Sequence, residues 1–142
     1  MKMKNKNTLL FLIPAIFFVF DRIFKNLVLN GLTGKNFLFN ITYVQNSGIS
    51  LGLFQGNSSL LLWISIIIIG AIIYFYNDLA KAKLGTNLII IGAVSNVLDR
   101  LLFGHIIDYI DFGWFPVFNI ADACIVLGGA YIILWFLFFE KN

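Results

Sequence analysis

The chain has 142 residues, of which 60% are hydrophobic, 17% aromatic and only 12% charged, and its formal net charge is +3. A water-soluble domain carries about 25% charged residues, so there is too little polar surface here to cover a soluble globule. A cytosolic enzyme, a nucleic-acid binder and a disordered segment are excluded. One cysteine, Cys124, leaves no internal disulfide framework and no cysteine-based metal cluster. The composition is that of a single integral membrane domain over 1–142.

A helix needs about 20 mostly apolar residues to cross the hydrocarbon core. The first such stretch runs over about 8–29 and is interrupted in its second half by Asp21, Arg22 and Lys25. A basic start followed by Leu9–Phe20 also fits a cleavable leader, but no small-x-small cleavage site follows. A retained first helix is therefore expected.

The next segment, about 36–56, is rich in aromatic and β-branched residues from Phe37 to Val44, which predicts one or two short strands. A second apolar stretch, about 58–76, has no charge. A third, about 85–103, is apolar until Asp99 and Arg100. The fourth, about 118–139, carries Asp122 near its start. In lipid the backbone must satisfy its own hydrogen bonds, so these stretches are predicted as helices. The expected fold is an all-α membrane protein of four transmembrane helices, with a small extracytoplasmic β-rich segment between helices 1 and 2.

Lys2, Lys4 and Lys6 precede helix 1, Lys81 and Lys83 lie between helices 2 and 3, and Lys141 follows helix 4. With four alternating helices all six fall on one side, and only Lys35 lies outside the helices on the other. The positive-inside rule then puts both termini and the 77–83 turn in the cytoplasm, with 30–57 and 104–117 facing outward.

Ionisable residues in a bilayer are expensive and usually paired. Most of those outside the lysine-rich side fall at one level, the outer ends of helices 1, 3 and 4. Asp21 and Lys25 are spaced i,i+4; Asn96, Asp99 and Arg100 are spaced i, i+3, i+4, so each set shares a helix face. His105, Asp108 and Asp111 follow, then Asn119 and Asp122. Asp21–Lys25 and Asp99–Arg100 read as neutral pairs that hold helices 1, 3 and 4 in register. Asn119, three residues before Asp122, reads as a helix N-cap. Those pairings leave Asp108 and Asp122 with no nearby cation. Two close carboxylates in a low-dielectric site share one proton. One can then take a proton from water while the other donates a hydrogen bond to a carbonyl oxygen, as in aspartic proteases. Two rivals remain at this point. His105, Asp108 and Asp122 are a conceivable divalent-metal set. The bundle could also be non-enzymatic, passing protons or ions or binding a partner.

Several motifs, in order, resemble those of a known family, the bacterial lipoprotein signal peptidases (signal peptidase II). Asp21-Arg22-Ile23-Phe24-Lys25 resembles D-x-x-S/T-K, with Phe24 in place of the hydroxyl residue. Asn40 to Gly48 is similar to the outer F-N-x-x-x-x-x-N-x-G strand. Ile49-Ser50-Leu51-Gly52-Leu53-Phe54 departs from A-A-F-G but keeps the glycine and the aromatic. Gly92 to Arg100 resembles G-x-x-x-N-x-x-D-R, Gly104 to Tyr109 resembles G-x-V-x-D-F, and Phe118 to Asp122 matches F-N-x-A-D. The 109–117 connector is short beside many members.

The resemblance implies that Asp108 and Asp122 are catalytic; the step from Gly104 selects Asp108 over Asp111. It implies that Asp21, Lys25, Asn46, Gly48, Asn96, Asp99, Arg100 and Asn119 support them or bind substrate. No metal or cofactor is implied. The implied substrate is a prolipoprotein whose signal peptide ends just before a diacylglyceryl-modified cysteine. The protein is then expected in the bacterial cytoplasmic (inner) membrane as a multi-pass monomer in contact with membrane lipids, its site toward the outer leaflet.

Overall fold

The structure is a computed structural model and describes residues 3–35, 37–48, 56–79 and 82–139. Residues 49–55, with the Ile49–Phe54 motif, lie outside the described residues, as do residue 36 and Lys2, Lys81 and Lys141. The described residues form four helices, α1 (Met3–Leu29), α2 (Ser58–Tyr74), α3 (Lys83–Phe103) and α4 (Ile120–Phe139). Three short strands, β1 (Gly34–Lys35), β2 (Asn40–Asn46) and β3 (Ile106–Asp111), make an antiparallel sheet in the order β1-β2-β3.

Large apolar side chains point outward on every helix: Phe11 and Phe20 on α1, Trp63 and Ile67 on α2, Leu101 and Leu102 on α3, Val126 and Phe138 on α4. The buried set includes Asp21, Lys25, Ser95, Asn96, Asp99, Asp108 and Asn119. This is the reverse of a soluble fold and suits a protein whose solvent is the bilayer. Among the described residues α3 and α4 are long and apolar enough to cross a membrane, and α2 is a shorter apolar helix of 17 residues.

Small residues let α3 and α4 approach closely. Gly85 and Gly128 face each other: a Cβ on either would collide with the other's carbonyl oxygen. One heptad along, a Cβ on Gly92 would strike the Ala121 carbonyl. In a bilayer, where apolar side chains gain little by leaving lipid, such backbone-level packing supplies much of the association. α1 meets α3 through a different device. Pro14 lies inside α1 and has no N–H, so it cannot bond to the Leu10 carbonyl one turn back. That carbonyl accepts instead from Asn87 Nδ2 of α3 at 3.0 Å, and Asn87 Oδ1 accepts from the Tyr76 hydroxyl at 3.0 Å.

Gly104 ends α3 in the left-handed region (φ 76°), its N–H bonded to the Arg100 carbonyl. A residue with a Cβ is disfavoured there. The chain turns directly into β3, which pairs with β2 in the register Val44↔Asp108 and Asn46↔Ile106. The sheet therefore extends beyond the segment between α1 and α2. The 104–117 stretch, to which the sequence reading assigns no strand, supplies its third strand. After β3 the chain loops back, and Phe118 bridges Ile110, its carbonyl accepting from Ile110 N at 2.8 Å and Tyr109 N at 3.0 Å. This return places Asn119, the residue before α4, beside β3.

The two neighbouring glycines of α4 separate packing from helix propensity. Gly128→Val is expected to lower the unfolding free energy in detergent by about 1–3 kcal/mol through overpacking. Gly129→Ala, where a Cβ meets nothing within 4 Å, is expected to raise it by about 0.5–1 kcal/mol through helix propensity alone. Thermal unfolding of the two variants side by side checks both.

Candidate active site

Buried charge begins with Lys25. Its ammonium has three hydrogens and three acceptors: Asp21 Oδ2 at 2.8 Å, Asp99 Oδ2 at 2.7 Å and Asn96 Oδ1 at 3.1 Å. Asp99 is also paired with Arg22 and accepts from the Ile107 backbone N–H at 3.2 Å. Asp21 accepts from Ser95 Oγ at 2.6 Å, from the Tyr109 hydroxyl at 3.0 Å and from the Ala121 N–H at 3.2 Å. Two cations thus balance two carboxylates where α1, α3, β3 and α4 meet. Arg22, not Arg100, is the partner of Asp99, which corrects the Asp99–Arg100 pairing read from sequence. Adjacent helical residues do not face each other, so Ser95 and Asp99 form one stripe toward α1 while Asn96 and Arg100 form the next.

Asn96 and Arg100 face a cavity of about 250 Å³ that is also lined by Asn46, Gly48, Asp108 and Asp122, with Leu61, Ile64 and Ile68 of α2 as its apolar wall. Asp108 Oδ1 accepts from Asn119 Nδ2 at 2.7 Å and Oδ2 from Asn46 Nδ2 at 2.8 Å. Asn46 lies diagonally across the β2–β3 ladder from Asp108, within reach on the same face. Its own Oδ1 is held by the Gly48 N–H at 3.0 Å, and Arg100 Nη2 donates to the Gly48 carbonyl at 3.2 Å.

Asp122 is fixed from the other side. Asn119 Oδ1 accepts from the Asp122 N–H at 2.8 Å and Asp122 Oδ2 accepts from the Asn119 N–H at 3.2 Å, a reciprocal capping box at the start of α4. Asp122 Oδ1 accepts from Asn96 Nδ2 at 2.8 Å. Asn119 therefore touches both acids, and its amide orientation follows from the N–H that its oxygen must accept. Burial, and then the charge of Asp122, push the Asp108 carboxyl up to about 7, against hydrogen bonds from Asn46 and Asn119 and the charge of Lys25.

All ten residues singled out from the sequence fall within this connected region. Neither Asp108 nor Asp122 has an ion pair within 4.0 Å among the described residues, yet Arg100 shares their cavity, so the sequence reading that no cation lies near them is corrected. Asp111 lies outside it, accepting from the Gly113 N–H at 2.7 Å in an exposed turn. His105 meets the Tyr43 hydroxyl at 3.2 Å. Among the described residues no three His, Cys, Asp or Glu side chains gather as metal ligands, so the His105–Asp108–Asp122 grouping does not form. Arg22, Ser95 and Tyr109 were not anticipated. The i,i+4 step from Ser95 to Asp99 was the available signal for one of them.

Residues 13–138 match the model of the family described as signal peptidase (SPase) II. The chain belongs to that family. It is 34% identical to a lipoprotein signal peptidase of Halothermothrix orenii, over 94% of this chain and 98% of the relative. It is 44% identical to one of Syntrophomonas wolfei, over 72% and 70%. It also superposes on a solved bacterial membrane enzyme with TM-score 0.83 and 29% identity, covering 95% of this chain and 92% of that one. Membership of a signal peptidase family decides against the alternative of a non-enzymatic ion-conducting bundle.

Proposed function

We propose that this chain is a single-domain, monomeric aspartyl endopeptidase that crosses the bacterial cytoplasmic membrane four times and removes signal peptides from diacylglyceryl-modified prolipoproteins. Both termini face the cytoplasm and the site opens toward the outer leaflet. The observation that carries the reading is the pair Asp108 and Asp122, held on one cavity by a shared asparagine.

The chemistry follows from the charges. The pair holds one proton near neutral pH; in this assignment Asp108, whose carboxyl is pushed up to about 7, is the acid that keeps it, and Asp122 acts as the base. Asp122 takes a proton from water as the oxygen attacks the scissile carbonyl, and Asp108 donates its hydrogen bond to the carbonyl oxygen. The tetrahedral intermediate collapses as Asp122 returns its proton to the leaving amine. The C–N bond breaks, and the dyad regains its starting state. With one shared proton the pair carries a single negative charge, and Arg100 in the same cavity balances it. Asn46, Asn96 and Asn119 donate hydrogen bonds to the two acids, and the Gly48 N–H holds Asn46 Oδ1; these bonds support a role in orienting the dyad and the substrate backbone.

The surroundings fit a lipid-anchored substrate. The α2 wall of Leu61, Ile64 and Ile68 offers an apolar surface to a signal helix arriving sideways through the bilayer. Beside the sheet, Trp114 is 83% exposed and Phe115 half exposed. Aromatic residues of this kind sit at headgroup level, where the diacylglyceryl chains of the substrate would hold its cysteine.

Two outcomes are expected. Asp108→Asn and Asp122→Asn should each cut cleavage of a diacylglyceryl-modified precursor by at least about 10³-fold while inserting normally; the same precursor without lipid should be a poor substrate for wild type. A full-rate Asp122→Asn enzyme sinks the assignment. Activity should also fall as pH rises through about 7, because Asp108 then loses the proton that it donates. A rate that is flat from pH 6 to pH 9 contradicts that assignment of roles.

A further inference from the structure

We propose that Tyr109 is a positioning residue, whose hydroxyl ties the strand bearing Asp108 to the first turn of the helix bearing Asp122 and so sets the separation of the two acids. The inference rests on the dyad reading above and goes beyond it.

The first N–H groups of a helix have no partner within it. In α4 three of them go to three side chains, two from other elements and one from the capping residue. Ile120 N–H donates to the Tyr109 hydroxyl of β3 at 3.3 Å, Ala121 N–H to Asp21 Oδ1 of α1 at 3.2 Å, and Asp122 N–H to the capping Asn119 Oδ1 at 2.8 Å. The Tyr109 hydroxyl donates in turn to the same Asp21 Oδ1 at 3.0 Å. One hydroxyl thus joins β3, α1 and α4. Successive strand residues face opposite ways. Asp108 accordingly lines the cavity, while the Tyr109 ring turns away from it, buried and stacked on Phe24 with ring centroids 5.8 Å apart. Tyr109 does not line the cavity, so its effect on hydrolysis must pass through geometry.

Tyr109→Phe removes the hydroxyl and keeps the stack. The Ile120 N–H is left without its acceptor at a partly buried position, and the first turn of α4 relaxes. A small displacement of a reacting group costs up to about 10²-fold in rate. The expected result is a kcat lower by about 10- to 100-fold with KM unchanged. The pH limb near 7 should move to lower pH. Asp108 is faced by Asp122 of α4, Arg100 of α3, Lys25 of α1 and the amides of Asn46 and Asn119, and withdrawing the Asp122 charge weakens its hold on the proton.

Ile120→Pro removes the same hydrogen bond from the donor side, at the one helix position where proline is favoured, and should reproduce both effects. Phe24→Leu removes the stack but not the hydroxyl, and should lower the thermal midpoint with the pH limb unmoved. The experiment is kcat, KM and pH profile for these three variants and Asp122→Asn on lipid-modified precursor. A wild-type kcat and pH limb in Ile120→Pro overturns the proposal, even if Tyr109→Phe does not fold. So does a Phe24→Leu profile indistinguishable from that of Tyr109→Phe. If Asp122→Asn is inactive while Ile120→Pro is normal, the positioning role alone falls; if Asp122→Asn is active, the dyad reading itself falls.

Discussion

Everything around the candidate site depends on one fully buried ammonium. Lys25 spends its three hydrogens on Asp21, Asp99 and Asn96, and no water is needed to complete its shell. Charges taken out of water are tolerated when each is matched and hydrogen-bonded. Here Arg22 and Lys25 match Asp21 and Asp99, and the remaining carboxylate lone pairs go to Ser95, Tyr109, Ala121 and Ile107. Those acceptors and donors come from α1, α3, β3 and α4, so charge balance and tertiary structure are one requirement.

In the proposed mechanism, the neutrality of that cluster leaves the next layer free to be reactive. Asn96 belongs to both: its oxygen accepts from Lys25 and its amide donates to Asp122. Beyond it lie two acids and Arg100 around one cavity. With one proton shared, their charges also cancel. The acids differ in support, because Asp108 sits on a strand edge between two asparagine amides whereas Asp122 is locked into a helix cap. Both supports converge on Asn119, which the Phe118–Ile110 bridge carries back against β3.

Much of this was legible in the residues themselves. Long, mostly apolar runs mark the helices, Asn119 three before Asp122 marks the α4 cap, and polar groups too costly for lipid mark the candidate site. What failed to show had local causes. β3 was hidden because Ile106, Ile107 and Tyr109 are all buried along with Asp108, so the alternation expected of a half-exposed strand is absent. Adjacency in sequence favours Arg100 as a partner of Asp99, but neighbouring residues of a helix do not face each other, and Arg22 of α1 pairs with Asp99 instead. The link from Pro14 through Leu10 to Asn87 depends on which helix lies opposite, and a single chain of letters does not state it.

The central claim is that matched charge around Lys25 holds the fold and therefore the dyad. It is tested most directly by the unfolding free energy of Lys25→Met, which keeps the side chain's length and removes its charge. The account predicts a loss of about 3–5 kcal/mol, since two buried carboxylates lose their shared partner. A Lys25→Met protein as stable as wild type would contradict it.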